Sequence, residues 1–236
     1  MVHVHAPPRV SILASGDELV DIETPPLVHQ IRNSNSYYLA AQVTAAGGQP
    51  NRLPLVRDDP GHMQSAIRMA MDSDLLLLSG GVSRGKYDFT GESLLALGAE
   101  FFFTGALIQP GKPVIFGRLP HAGAGMKYFF ALPGNPVSTM VTFAVFVHPL
   151  LCALAGDDCS VPRFALARLA SEVEHKPGLT RFFPATLSGG LDPEVSRVEW
   201  QGSGDLANTA TANCFLVVPH DRESLDAGDV VTVLLN

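Results

Sequence analysis

The sequence predicts a two-part α/β protein. The first part is a three-layer α/β/α domain built on a mostly parallel sheet over residues 9–155. The second is a small all-β, barrel-like domain over residues 160–236, with residues 1–8 a linker or added leader. Three observations predict this. Apolar runs alternate with helical patterns through the first two thirds, which is the pattern of βαβ units. Four consecutive leucines, Leu75 to Leu78, read as a strand buried on both faces. Beyond Gly156-Asp-Asp158 no helical period of useful length remains, and short alternating stretches separated by turns take over.

The elements follow in order. Residues 9–14 read as the first strand. A helix is expected over 36–46, with Ser34 or Asn35 as N-cap and Gly47-Gly48 as its stop. A strand over 51–56 precedes a helix that runs to about Met71. Asp59 caps that helix and Pro60 takes its first position. The leucine strand leads to a helix over 90–97, ended by Gly98. Strands over 114–116 and 128–132 flank a glycine-rich turn at 121–125, and Asn135-Pro136 opens a long apolar helix. In the second part, strands are expected over 165–170, 181–187, 197–200, 214–218 and 230–234.

Composition narrows the function. Charged residues comprise 16 basic and 23 acidic side chains, a net charge of −7, and no basic run exists to hold nucleic acid. Hydrophobic residues make up 46% of the chain, enough for a folded core. The three cysteines are widely spaced and form no CxxC, which suits a reducing compartment and excludes a disulfide framework. His3 and His5 form an HxH pair that reads as a terminal segment. No basic stretch followed by an apolar core opens the chain, so no signal peptide is expected. The apolar stretch 137–155 contains Ser138, Thr139, Thr142, His148 and Pro149, which suits a buried helix better than a membrane span. A soluble, cytoplasmic protein with no membrane partner is the expectation.

Ligands of open parallel sheets bind beyond the C-terminal ends of the strands. Four polar loops are expected there: Ser15-Gly-Asp-Glu-Leu19, Arg57-Asp-Asp59, Ser79-Gly-Gly-Val-Ser-Arg-Gly-Lys-Tyr-Asp88 and Leu132-Pro-Gly-Asn-Pro-Val-Ser138. Singly, each has a bland reading. Asp17 and Glu18 suit a turn, Asp59 a cap, Asp88 a turn or cap, and Asn135 an N-cap. Together they suggest anion binding beside a metal. Gly80, Gly81 and Gly85 allow backbone amides to approach an oxyanion, with Ser79, Ser83 and Lys86 as further donors. Gly111-Lys112-Pro113 offers a second ammonium. Asp17, Glu18, Asp58 and Asp88 supply hard oxygens suited to Mg²⁺. The chain has no GxxxxGK[ST], no GxGxxG after the first strand and no Gly-x-Ser-x-Gly elbow.

Taken together, these loops resemble the molybdopterin molybdotransferase family, which includes the E domain of gephyrin. The matching strings are Ser15-Gly-Asp-Glu-Leu19, Asn33-Ser-Asn35, Arg57-Asp-Asp59, Ser79-Gly-Gly-Val-Ser83 with Gly85 and Asp88, Pro110-Gly-Lys-Pro113 with Phe116-Gly117, and Leu132-Pro-Gly-Asn-Pro-Val-Ser138. The likeness is strong over about residues 9–155. It is looser in the tail, through Gln201-Gly-Ser203, Ala212-Asn213 and Gly228-Asp-Val230.

The resemblance implies insertion of molybdate into adenylylated molybdopterin, with Mg²⁺ present and AMP released. It implies catalytic roles for Asp58, Asp88 and Glu18, a basic role for Lys112, and ligand contacts from Pro133, Gly134, Asn135, Ser138 and Ser203. It also implies a homodimer. Two departures stand out. Gln109 occupies a position where the family usually has Lys, and relatives carry a further domain pair ahead of the first strand. A C-terminal piece, weakly active alone, is therefore expected. The SGGVS loop also occurs in related forms in molybdopterin adenylyltransferases, which leaves that activity, or a non-enzymatic scaffolding module, as the alternative.

Overall fold

The computed structural model describes residues 4–81, 89–121, 125–157, 161–202 and 204–235. Ser83, Lys86, Asp88 and Ser203 lie outside these residues, as does part of the expected turn at 121–125. The chain divides into two compact units that interleave along the sequence. The first comprises Met1–Gly105, Pro113–Gly134 and Val147–Ser160. The second comprises Ala106–Lys112, Asn135–Phe146 and Val161–Asn236.

The first unit is built on a six-stranded sheet. In chain order its strands are β1 (Arg9–Ala14), β4 (Gln49–Arg52), β5 (Leu75–Ser79), β6 (Glu100–Phe103), β8 (Ile115–His121) and β9 (Gly125–Leu132). Between β1 and β4 lie the two-residue strands β2 (Leu19–Val20) and β3 (Ile31–Arg32), which pair with each other. The spatial order is β4-β1-β5-β9-β8-β6. The first four strands are parallel, and β8 and β6 extend the sheet antiparallel. Helices α1 (Asn35–Ala45), α2 (Pro60–Ala70) and α3 (Phe89–Ala96) belong to this part, as does the later helix His148–Leu154.

Alternation along β5 sends Leu76 and Leu78 into one core, with Leu13, Met63, Ile67, Leu94 and Phe129. Leu75 and Leu77 point the other way and are equally buried. α1, with Leu39 and Val43 fully buried, packs on β1 and β4. Each such side chain taken from water stabilises the fold by roughly 1.5–3 kcal/mol.

The expected strand over 51–56 is instead β4, at Gln49–Arg52. Its continuation still runs beside β1: Leu53 N–H donates to Ile12 O and Val56 N–H to Ala14 O. Pro54, between them, has no N–H to extend a regular ladder. Strand β6 was not anticipated. Its run Glu100-Phe-Phe-Phe103 carries three consecutive aromatics, without the polar alternation that marks an edge strand, although only Phe101 and Phe103 are half-buried. α2 begins as expected, with the Asp59 carboxylate accepting from His62 N–H. α1 does not. Ser34 makes no side-chain cap bond, and the carboxamide of Asn33 accepts from Ser36 N–H instead.

The second unit holds a closed five-stranded barrel. Its strands are β10 (Phe164–Leu169), β12 (Thr180–Leu187), β13 (Glu194–Arg197), β14 (Cys214–Val218) and β16 (Val230–Leu235). They run in the order β13-β10-β16-β14-β12, and β12 pairs with β13 to close the ring. The minor strands β11 (Val173–Glu174) and β15 (Ser224–Leu225) form a separate pair. After residue 163 the described helix is the four-residue α6 (Leu206–Thr209). Two segments from earlier in the chain complete this unit. Strand β7 (Ile108–Gln109) adds in parallel to β12. α4 (Pro136–Thr142) packs Val137 and Val141 against Ile108, Phe182, Phe215 and Leu234.

From α4 the helix continues as a π-helical turn, Phe143–Val147, and then as α5 (His148–Leu154). Pro149 lacks the N–H that an uninterrupted α-helix would use, and the widened turn lies just ahead of it. Among the described residues, Pro136–Leu154 is the one helix long and apolar enough to cross a membrane, and half of its most apolar window is buried in the protein.

Cys214 is fully buried in the barrel, and burial pushes its thiol up to about 11. Raised this way, the group stays protonated in the fold, so native-state alkylation at pH 8 should leave Cys214 unmodified in peptide mass mapping. Labelling at the rate of the unfolded chain would show that the barrel opens readily.

Candidate functional site

The C-terminal ends of the parallel strands converge as the sequence predicts. Ser15 N–H donates to Ser79 O, and Ser15 bridges to Val56. Gly16 N–H donates to Val56 O. These bonds bring the loop after β1 beside the loop that leads into α2.

Two carboxylates meet there by exchanging backbone bonds. Asp17 N–H donates to Asp58 Oδ2 at 3.4 Å, and Asp58 N–H donates to Asp17 Oδ1 at 3.3 Å. They border an open cleft of about 650 Å³, lined also by Gly16, Gln30, Arg57 and His62. Glu18 does not join them. Its carboxylate folds back over Gly16, within 3.0 Å of where a Cβ there would sit, and it is absent from the cleft lining. Asp59 serves as the helix cap. Among the described residues, no group of three or more His, Cys, Asp or Glu is arranged to hold a metal ion. The expected four-carboxylate set therefore reduces, within those residues, to the Asp17–Asp58 pair, and Asp88 lies outside them.

The glycine loop differs from expectation in what its first groups do. Gly80 N–H is not offered to a ligand, because it donates to Leu132 O at 3.3 Å. Its carbonyl accepts from Thr90 Oγ1 at 3.0 Å. Ser79 is buried, and its hydroxyl accepts from Asn35 Nδ2 at 2.9 Å. The glycine at 80 is needed for geometry instead: φ is +102°, and a Cβ would press on the backbone oxygen of Ser15. Gly81, half-buried, carries the next amide of the loop.

After β9, Pro133 is buried and Gly134 exposed, with Gly134 O accepting from Asn35 Nδ2 at 2.8 Å. In the second unit, Asn135 starts α4 through its carbonyl, which accepts from Thr139 N–H, and its side chain makes no cap bond. Ser138 is buried on the same helix. Lys112 is exposed on a turn closed by Ala106 N–H donating to Lys112 O.

The structure thus joins Asp17 with Asp58, and Ser79 and Gly80 with Gly134. Three participants went unlisted among the sequence candidates. Asn35 and Arg57 were visible in the Asn33-Ser-Asn35 and Arg57-Asp-Asp59 strings; His62, on an amphipathic helix, gave no signal.

The chain thus combines an α/β sheet that carries polar loops at its C-terminal edge with a five-stranded barrel, and the comparisons say which family has this arrangement. Residues 11–153 match the family model described as "Probable molybdopterin binding domain". Residues 166–235 match "MoeA C-terminal region (domain IV)". A molybdopterin molybdenumtransferase of Nostoc sp. is 34% identical over 99% of this chain and 54% of its own length. One from Haemophilus influenzae is 32% identical over 95% of this chain and 55% of its own. Among solved structures, a molybdopterin biosynthesis MoeA protein from Pyrococcus horikoshii superposes with a TM-score of 0.81 at 30% identity, covering 97% of this chain and 54% of that one. The chain belongs to the molybdopterin-binding domain family, in the MoeA arrangement with its C-terminal β region. It spans about half the length of the curated relatives it matches.

Proposed function

We propose that this chain forms the pterin-phosphate-binding part of a molybdopterin molybdotransferase, which inserts molybdate into adenylylated molybdopterin and releases AMP. The observation that carries this reading is the Asp17–Asp58 pair at the C-terminal edge of the sheet, beside a cleft of substrate size. The donor set fits Mg²⁺, which is typically held by one or two carboxylates while substrate phosphates and waters complete the octahedron. When bound, the ion supplies Lewis-acid polarisation of the phosphoanhydride.

The chain's own residues do the rest. Asp17 and Asp58 would hold the cation, and through their exchanged backbone-to-carboxylate bonds they keep the two loops in register. The family resemblance implies a further carboxylate from Asp88, while Glu18, folded back over Gly16, stands apart from the pair. Gly81, Ser83 and Lys86 offer donors to phosphate oxygens. The family resemblance further implies ligand-binding roles for Lys112, Asn135, Ser138 and Ser203. The protein works as a cytoplasmic homodimer. The MoeA-type C-terminal region favours this activity over adenylyl transfer.

The test is calorimetric binding of adenylylated molybdopterin, with AMP release followed chromatographically. Binding should weaken about tenfold when EDTA removes Mg²⁺, and AMP release should require it. Binding indifferent to EDTA, or formation of adenylylated product from ATP, would overturn the assignment.

A further inference from the structure

Asn35 lies buried in the first turn of α1, yet it does no work for its own helix. The helix start is capped by Asn33, whose Oδ1 accepts from Ser36 N–H at 3.2 Å. The Asn35 side chain reaches away instead. Its Nδ2 donates to Ser79 Oγ at 2.9 Å and to Gly134 O at 2.8 Å, partners 44 and 99 residues distant in sequence. A carboxamide nitrogen carries two hydrogens, and each goes to a different loop.

Those two loops also touch directly. Gly80 N–H donates to Leu132 O, and a Cβ on Gly134 would lie 3.5 Å from Gly80 Cα. With so little between the backbones, the carboxamide sets how far apart the loops stand. Without that donor the buried Ser79 hydroxyl loses its partner, while Gly134 O, on an exposed residue, is left to water and no longer tied to the Ser79 loop.

We propose that Asn35 is a positioning residue: it sets the spacing between the loop that starts at Ser79 and the loop that contains Gly134, and it acts on the bound pterin phosphate through them. This rests on the reading of that sheet edge as the substrate site. Asn35 contacts no reacting atom in this scheme. Its effect is to hold Ser79 and Gly80 at one distance from Gly134.

The experiment compares wild type with Asn35→Ala and Asn35→Asp in the full chain. The aspartate keeps the size of the side chain while removing both N–H donors, so it remains informative if the alanine variant does not fold. Amide hydrogen exchange should accelerate about tenfold in peptides covering 79–81 and 134–135 and stay unchanged in α2. The Kd for adenylylated molybdopterin, measured well below Tm, should rise about tenfold. Leu39→Ala provides the control. It opens a cavity on the same helix, lowers Tm at least as far, and should leave Kd within about twofold. Unchanged exchange in the two loops overturns the proposal. So does faster exchange with an unchanged Kd, or an equal rise in Kd from Leu39→Ala. A wild-type chain that binds no adenylylated molybdopterin removes the substrate reading, and the exchange comparison then decides the loop spacing by itself.

Discussion

Asp58→Asn should lower Mg²⁺-dependent AMP release by about tenfold or more while shifting Tm by no more than a few degrees. The variant keeps the shape of the side chain and an oxygen able to accept from Asp17 N–H, a bond already long at 3.4 Å. What it loses is a negative charge facing the cation. Asp17 and Asp58 repel each other in the absence of that cation, so removing one charge does not cost stability. Asp17 is exposed and Asp58 only half-buried, which leaves the pair screened by water in the free protein. The charge therefore matters when a cation and phosphate are present, and little otherwise. Asp17→Asn should behave alike, and Glu18→Gln should have a smaller effect, since Glu18 turns away from the cleft. Thermal melts beside turnover assays decide the matter. A large fall in Tm with turnover retained would make the pair a structural clasp between loops.

Gly80→Ala should be among the most destabilising single substitutions in the first unit, at roughly 3–5 kcal/mol. Two costs combine. The backbone at φ +102° lies where only glycine is at ease, which is worth about 1–3 kcal/mol for other residues. The new methyl group would also collide with Ser15 O. That oxygen belongs to main chain at the end of β1 and cannot swing aside, because Ser15 N–H is bonded to Ser79 O. Relief requires moving β1 or β5, and with them the Gly80–Leu132 bond. Gly81→Ala provides the contrast. Its φ is +67°, and its methyl group would meet the buried Thr90 hydroxyl, a side-chain group that can turn away by giving up its bond to Gly80 O. Gly81→Ala should therefore cost less. Urea unfolding gives the ranking as a drop in midpoint at constant slope. A Gly80→Ala protein as stable as wild type would show that the strand ends are not packed this closely.

Local signals were legible because local physics produces them. The leucine run at 75–78 has one sensible reading, and Asp59-Pro60 carries both halves of a helix start. The shift from helical to alternating pattern near Gly156 marks where the barrel strands begin. The loop strings at 15–19, 57–59, 79–88 and 132–138 carried the family resemblance, and the family matches agree with it.

Tertiary structure alone decided which of those residues meet. Asp17, rather than Glu18, pairs with Asp58 because their backbone amides exchange bonds across 41 residues of sequence. Gly80 gives its amide to Leu132 O, and the buried Ser79 hydroxyl accepts from Asn35, so both groups fasten the loop internally. The units interleave for a similar reason. The apolar face of α4 and the open ladder of β7 are completed by barrel strands that begin only after residue 163. A sequence pattern shows that a side chain can donate, accept or be buried. Which partner satisfies it depends on segments up to 99 residues away, and only the folded chain brings them within hydrogen-bonding distance.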